Sequence, residues 1–209
     1  MASYNLTIPI SEDEVRTLQV GDTVKLSGVL VTGRDAAHKY IMDTFIRSEA
    51  VPESEQALYQ ELKRLLKESL IYHCGPVVRQ LDDGSWEFVA AGPTTSIREE
   101  PYEAEVIAHF GLRGIIGKGG MGPRTLQACQ EHGAAYFHAV GGAASLIANA
   151  VKEVVAVYKK DEFGVPEAFW VIRVEDFPLV VTMDTHGRSI HDEVETSSQA
   201  ALDELVASG

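Results

Sequence analysis

Residues 23–32 alternate apolar and polar positions, with Val24, Leu26, Val29 and Val31 on the apolar side, and this predicts a strand. A shorter strand is predicted before it, at residues 5–8. Ser11-Glu12-Asp13-Glu14 then predicts a helix start: Ser11 is an N-cap type and Glu14 stands three residues on, the spacing of a capping box. Gly33-Arg34-Asp35 closes the long strand, and residues 36–42 begin a helix. Over 52–70 the residues Leu58, Leu62, Leu65, Leu66 and Leu70 recur at helical spacing with charges opposite, so a surface helix is expected. Residues 71–78 predict a strand interrupted at Gly75-Pro76. Asp82-Asp83-Gly84 is a hairpin signal leading into Trp86-Glu87-Phe88-Val89.

The second half changes rhythm. A helix is predicted at 99–110 and a buried-type strand at 113–116. Pro123 fits the first turn of a helix that stops at Gly133, and 135–140 is a further apolar strand. After Gly141-Gly142, the residues Ile147, Val151, Val154, Val155 and Tyr158 fall on one face of a predicted long helix. The last strands are expected at 170–174 and 179–183, closed by Asp184-Thr185-His186-Gly187. The strand-rich front and the helix–strand alternation of the middle give one α/β domain with mixed sheets, spanning 1–193. Residues 194–209 form a polar tail, weakly amphipathic at Leu202 and Leu205 and expected to be loosely held.

Composition adds mainly exclusions. The net charge of −13 speaks against a nucleic-acid surface, which needs a basic face. No apolar run approaches the ~20 residues of a membrane span and no signal-peptide pattern opens the chain, so it is read as cytoplasmic. Two cysteines, Cys74 and Cys129, have no partner at metal-ligand spacing and cannot hold an iron–sulfur cluster alone; they read as buried thiols.

Local chemistry runs against the acidic average. Gly92-Pro93-Thr94-Thr95-Ser96-Ile97-Arg98 puts hydroxyls and a guanidinium after one strand. Gly117-Lys118-Gly119-Gly120-Met121-Gly122 puts an ammonium on a glycine-rich turn after another. If both strands end at one sheet edge, Thr94, Thr95, Arg98 and Lys118 converge on a pocket suited to a carboxylate. Arg34, Asp35 and His38 form a second cluster, either a helix cap with Asp35 as the capping group or a guanidinium aimed at a substrate. His138 and His186, beside turns, read as structural rather than catalytic. The glycine turn also fits G-x-G-x-x-G, the dinucleotide pattern, but Val140-Gly141-Gly142 stands where an acidic residue would hold the ribose, and Lys118 fills the turn.

Taken together, Gly33-Arg34-Asp35-Ala36-Ala37-His38, Gly75-Pro76-Val77-Val78-Arg79, the two turns above and Asp184-Thr185-His186-Gly187 resemble the β subunit of two-subunit class I fumarases and L-tartrate dehydratases. In single-chain class I fumarases the same unit is the C-terminal domain. Against the short tartrate dehydratase β chains, 47–69 looks like an insertion. The resemblance implies a swivelling β/β/α three-layer domain with a parallel central sheet and a second, antiparallel sheet. It implies closure over an α subunit that carries a [4Fe–4S] cluster, in an α2β2 assembly, with no metal on this chain. It also implies that Arg34, Thr95, Arg98 and Lys118 bind a dicarboxylate and that Thr94 and Lys118 assist the chemistry; Asp35 and His38, beside Arg34, are read as orienting groups. Fumarate hydration is the leading expectation and tartrate dehydration the alternative; a non-catalytic dicarboxylate-binding domain is a third reading.

Overall fold

The computed structural model describes residues 1–207. The chain runs β1 (Ser3–Thr7), α1 (Glu12–Thr17), β2 (Thr23–Thr32), α2 (Asp35–Ile41), α3 (Gln56–Leu66), β3 (Leu70–Tyr72), β4 (Val77–Gln80), β5 (Trp86–Ala90), α4 (Glu100–Phe110), β6 (Gly114–Gly117), α5 (Pro123–His132), β7 (Ala135–His138), α6 (Ala144–Ala148), β8 (Val151–Tyr158), α7 (Lys160–Phe163), β9 (Phe169–Met183) and α8 (Ile190–Ala207). The predicted capping box is formed at α1: the Glu14 amide donates to Ser11 Oγ, and the Ser11 amide donates to Glu14 Oε2 at 2.8 Å.

The fold is mixed α/β. The central sheet has the order β1-β2-β3-β6-β7-β9-β8, and β2 also pairs with β9, so β2, β3, β6, β7 and β9 close into a barrel-like ring. The pairs β1–β2, β2–β3, β3–β6 and β6–β7 are parallel, whereas β9 is antiparallel to its neighbours. β4 and β5 form a separate antiparallel hairpin at the predicted turn.

Successive side chains of a strand point to opposite faces, and this splits the core in two. Leu30, Tyr72, Ile116, Phe137 and Trp170 pack on one face. Their neighbours Val31, Ile71, Ile115, Tyr136 and Val171 pack on the other, with Ile41 of α2, Leu62 of α3, Ile107 of α4 and Cys129 of α5.

Several expectations need correction. Residues 151–158 are strand β8, not the continuation of a helix; α6 ends at Ala148. The β-branched residues Val151, Val154, Val155 and Val157 favour a strand, and the open edge of β9 supplies the hydrogen-bonding partner. The two last strands are one strand of 15 residues, β9. Glu175-Asp176-Phe177-Pro178 bends it without ending it: Asp176 has φ 51°, and β2 shifts register opposite, next to Gly28 at φ 124°. The helix predicted over 52–70 is shorter, and Leu70 already belongs to β3. The polar tail is helical, with no buried residue in α8; the last two tail positions lie outside the described residues. No described helix is long and apolar enough to cross a membrane.

Candidate active site

β2, β3, β6 and β7 run in one direction, so the segments after them share one edge of the sheet, where open α/β sheets place their ligands. Backbone hydrogen bonds hold this edge in register: Gly33 N to Tyr72 O at 2.9 Å, His73 N to Ile116 O at 2.8 Å, and Ala139 N to Gly117 O at 2.9 Å. The Pro93–Ser96 stretch lies between the ends of β3 and β6. Thr94 N donates to His73 O at 2.7 Å, Lys118 N to Thr94 O at 3.2 Å, and Ser96 N to Lys118 O at 3.0 Å. The expected meeting of the hydroxyl turn and the lysine turn is therefore made by main-chain pairing.

Thr95 and Lys118 are bridge partners, which places their side chains side by side. Among the described residues the Lys118 ammonium and the Thr94 and Thr95 hydroxyls have no side-chain partner. Gly119 and Gly120 carry φ of 81° and 77°, a backbone shape costly for other residues. Gly141 closes the far side; a Cβ there would stand 3.7 Å from the Lys118 side chain.

Arg34 reaches the same edge from β2. Its guanidinium lies on Gly75, where a Cβ would approach Nη1 to 2.4 Å, and it pairs with Glu167 at 3.2 Å. Glu167 also accepts from the Ala36 amide at 3.1 Å. The cap of α2 thus comes from Glu167, not from Asp35. Asp35 instead forms an ion pair with Arg98, whose side chain is 60% exposed.

His38 is fully buried and turned away from the edge. Its Nδ1–H donates to the Arg34 carbonyl at 2.9 Å, and Nε2 lies 3.0 Å from Glu103 Oε2. No regular hydrogen bond is recorded at Nε2, so the attraction of opposite charges carries the contact. His73 Nε2 donates to the same oxygen at 3.0 Å; Ser96 Oγ meets His73 Nδ1 at 2.8 Å and receives the Tyr136 hydroxyl at 2.8 Å. Burial opposes charge on both His38 and Glu103. Their mutual attraction outweighs it, raising His38 and holding Glu103 down at about 2. Burial lowers His73, which stays neutral. Although Ser96, His73 and Glu103 run in the order of a hydrolase triad, the Ser96 hydroxyl is completely buried and cannot reach a substrate.

Glu99 is also buried, and burial pushes its carboxyl up to about 8 beside Asp35. Glu100 does different work. Its carboxylate accepts from the amides of Gly122 at 2.8 Å, Arg124 at 3.0 Å and Thr125 at 3.3 Å, and from the Thr125 hydroxyl at 2.6 Å. It therefore fills the N-terminus of α5, where a pyrophosphate would sit in a dinucleotide fold. This argues against the nucleotide reading of the glycine turn on grounds the sequence did not offer.

Of the two lone histidines, His138 ends β7 on the shared edge, and His186 is exposed on the Asp184 turn. That turn is built by Asp184, which accepts from the amides of Val20, His186 and Arg188. Glu99, Glu100, Glu103, His73 and Ser96 were missed as a group. Their one sequence signal was the density of acids in 99–105 next to the hydroxyl turn.

Residues 2–194 match the model of the family described as Fumarase C-terminus. The chain belongs to this family. A Geobacillus stearothermophilus relative named as a class I fumarate hydratase is 47% identical over 96% of this chain, which spans only 36% of that protein. A Methanocaldococcus jannaschii relative named as an L(+)-tartrate dehydratase subunit beta is 41% identical, over 94% of this chain and 95% of its own length. The L(+)-tartrate dehydratase subunit beta of Escherichia coli K12 is 40% identical over 88% of this chain and 85% of its own. Among these relatives the unit therefore occurs both as part of a longer polypeptide and as a subunit.

Proposed function

We propose that this chain is the β subunit of a two-subunit class I fumarate hydratase. It would supply the dicarboxylate-holding residues and work in the cytoplasm with an α subunit, in an α2β2 assembly. The observation that carries the reading is Lys118. Among the described residues it is an ammonium with no side-chain partner, on a glycine turn at a parallel-strand edge, beside Thr95, in a chain similar to named hydratase and dehydratase proteins. Such a group is kept available for an anion from outside.

The residues of this chain do not fit a [4Fe–4S] cluster. Cys74 and Cys129 lie in separate core clusters, fully buried, and burial pushes the Cys74 thiol up to about 12 and Cys129 up as well. A cluster, if the enzyme uses one, belongs on the α subunit. Here the chain's own groups have three tasks. Arg34 and Arg98 grip the carboxylate ends bidentately. Lys118 and Thr95 steady the charge that grows on a carboxylate when the neighbouring carbon loses its proton. Thr94 stands at the proton's path and needs an acid or base from the α subunit to assist it. Asp35 steers Arg98. The β/β/α layers would swivel as a unit to close the edge over the partner.

L(+)-tartrate dehydration is the second reading, favoured by the relatives that match along most of their own length. Anaerobic co-expression with a candidate α chain tests both. The assembled complex is expected to hydrate fumarate, and this chain alone to be inactive. Turnover of tartrate only would select the second reading. No turnover with either, together with tight dicarboxylate binding by the lone chain, would replace both with a binding domain.

A further inference from the structure

The buried chain beneath the site has a proton assignment that its partners nearly dictate. A carbonyl only accepts, so His38 carries a proton on Nδ1 towards Arg34 O. The Tyr136 hydroxyl donates to Ser96, leaving Ser96 to donate to His73 Nδ1; the proton of His73 is then on Nε2, towards Glu103. A single proton remains, between His38 Nε2 and Glu103 Oε2, which lie 3.0 Å apart, and the neighbouring carboxylate favours it on His38. The three ligating atoms of His38, His73 and Glu103 lie within 4.8 Å of one another, close enough for a cation. Yet they are one donor short of a closed structural site, and His73 Nε2 already holds a hydrogen aimed at Glu103.

This network touches three segments that build the edge. Ser96 follows Thr94 and Thr95, His73 directly follows β3, and His38 holds the Arg34 carbonyl. The fit is tight: a Cβ on Gly117 would stand 1.8 Å from Ser96 Oγ and 2.8 Å from the Tyr136 oxygen. We propose that Ser96, His73, Glu103 and His38 are positioning residues, a buried strut holding one shared proton that fixes the distance between the Thr94–Thr95 turn and Arg34, and so the length of dicarboxylate the edge accepts. The role in substrate length rests on the function proposed above; the strut itself does not.

Two measurements separate these parts. In the histidine-labelled isolated chain at neutral pH, nitrogen NMR is expected to show His38 protonated on both ring nitrogens and His73 as the Nε2–H tautomer. A neutral His38, the other His73 tautomer, or stoichiometric zinc in elemental analysis overturns the strut. In the α-containing complex, Ser96→Ala and Glu103→Gln are expected to raise KM for fumarate, or for tartrate if that is turned over, by about tenfold, with the larger loss for the longer of two dicarboxylates compared. Simple loss of folded enzyme lowers apparent kcat and leaves KM alone, so an unchanged KM in Ser96→Ala overturns the positioning role. Ser96→Ala removes one hydroxyl and keeps the test open if Glu103→Gln fails to fold. A complex inactive on both acids defeats the functional reading, while the NMR result still decides the strut.

Discussion

Thr95 and Ser96 are adjacent, chemically similar and opposite in fate. Thr95 is exposed and its hydroxyl bonds nothing among the described residues, whereas Ser96 is buried and its hydroxyl meets both Tyr136 and His73. Thr95 is the last extended residue before the 3-10 turn of Ser96–Glu99, and the chain turns inward at Ser96, so one short stretch serves both the open edge and its foundation. The same division holds for charge. Above, Lys118 is left unpaired among the described residues; below, His38 and Glu103 face each other at 3.0 Å. Unpaired polar groups are costly where water is absent, so the free donors on the rim are cheap, whereas the unsatisfied oxygens of Glu99 and Glu103 below are not.

The first prediction tests the footing. Glu103→Ala leaves the buried His38 charge without its partner and should destabilise the chain by about 3–5 kcal/mol, read by denaturant unfolding. An effect below about 1 kcal/mol would mean that the pair is not ionised. The sign with pH follows from Glu103 being held near 2: its contribution is present above the ordinary 4.5 and is lost as pH falls towards about 2. The second prediction tests the rim. Lys118→Ala should lower kcat/KM of the assembled enzyme by about 2–4 kcal/mol of transition-state stabilisation and leave the melting temperature unchanged, because among the described residues the ammonium makes no hydrogen bond or ion pair. Loss of activity with equal loss of stability would remove Lys118 from the site.

The rim was legible in the sequence and the footing was not, for a physical reason. Glycine and proline turns after strands announce themselves locally, and Arg34, Thr94, Thr95 and Lys118 all stand on such turns. A buried network is defined by long-range partners: Glu103 meets residues 30 and 65 positions away, and no spacing rule encodes that. His38 was singled out for the face it shares with Arg34, but the contact made is with the Arg34 carbonyl, and the ring points inward. The fold shows the same limit. The parallel core was readable from helix–strand alternation, whereas the helical spacing at Val151, Val154, Val155 and Tyr158 was accidental, and only the unpaired edge of β9 decides for a strand.

Glu99 lies where rim and footing meet. With its carboxyl raised to about 8, it costs stability as pH climbs from the ordinary 4.5, where the unfolded chain ionises, to about 8, where the folded chain does. Glu99→Gln should flatten that decline and stabilise the chain at pH 8 by about 2 kcal/mol in unfolding experiments, a discounted figure because Asp35 and His38 adjust with it. A parallel decline in both proteins would show that Glu99 is already ionised.

Asp35→Asn is the smallest change and divides the two regions most finely. The Asp35–Arg98 ion pair is exposed on the arginine side, and such pairs contribute about 0–1 kcal/mol, so stability should barely move. Activity should fall further than stability, by roughly three- to tenfold in kcat/KM, because Arg98 loses the anchor that points it along the edge and must be ordered by the ligand alone. Arg98→Ala in the same background should then cost less than it does in the wild type, since part of its advantage has already gone. If the two losses instead add in full, Asp35 does not steer Arg98, and the arginine acts on its own.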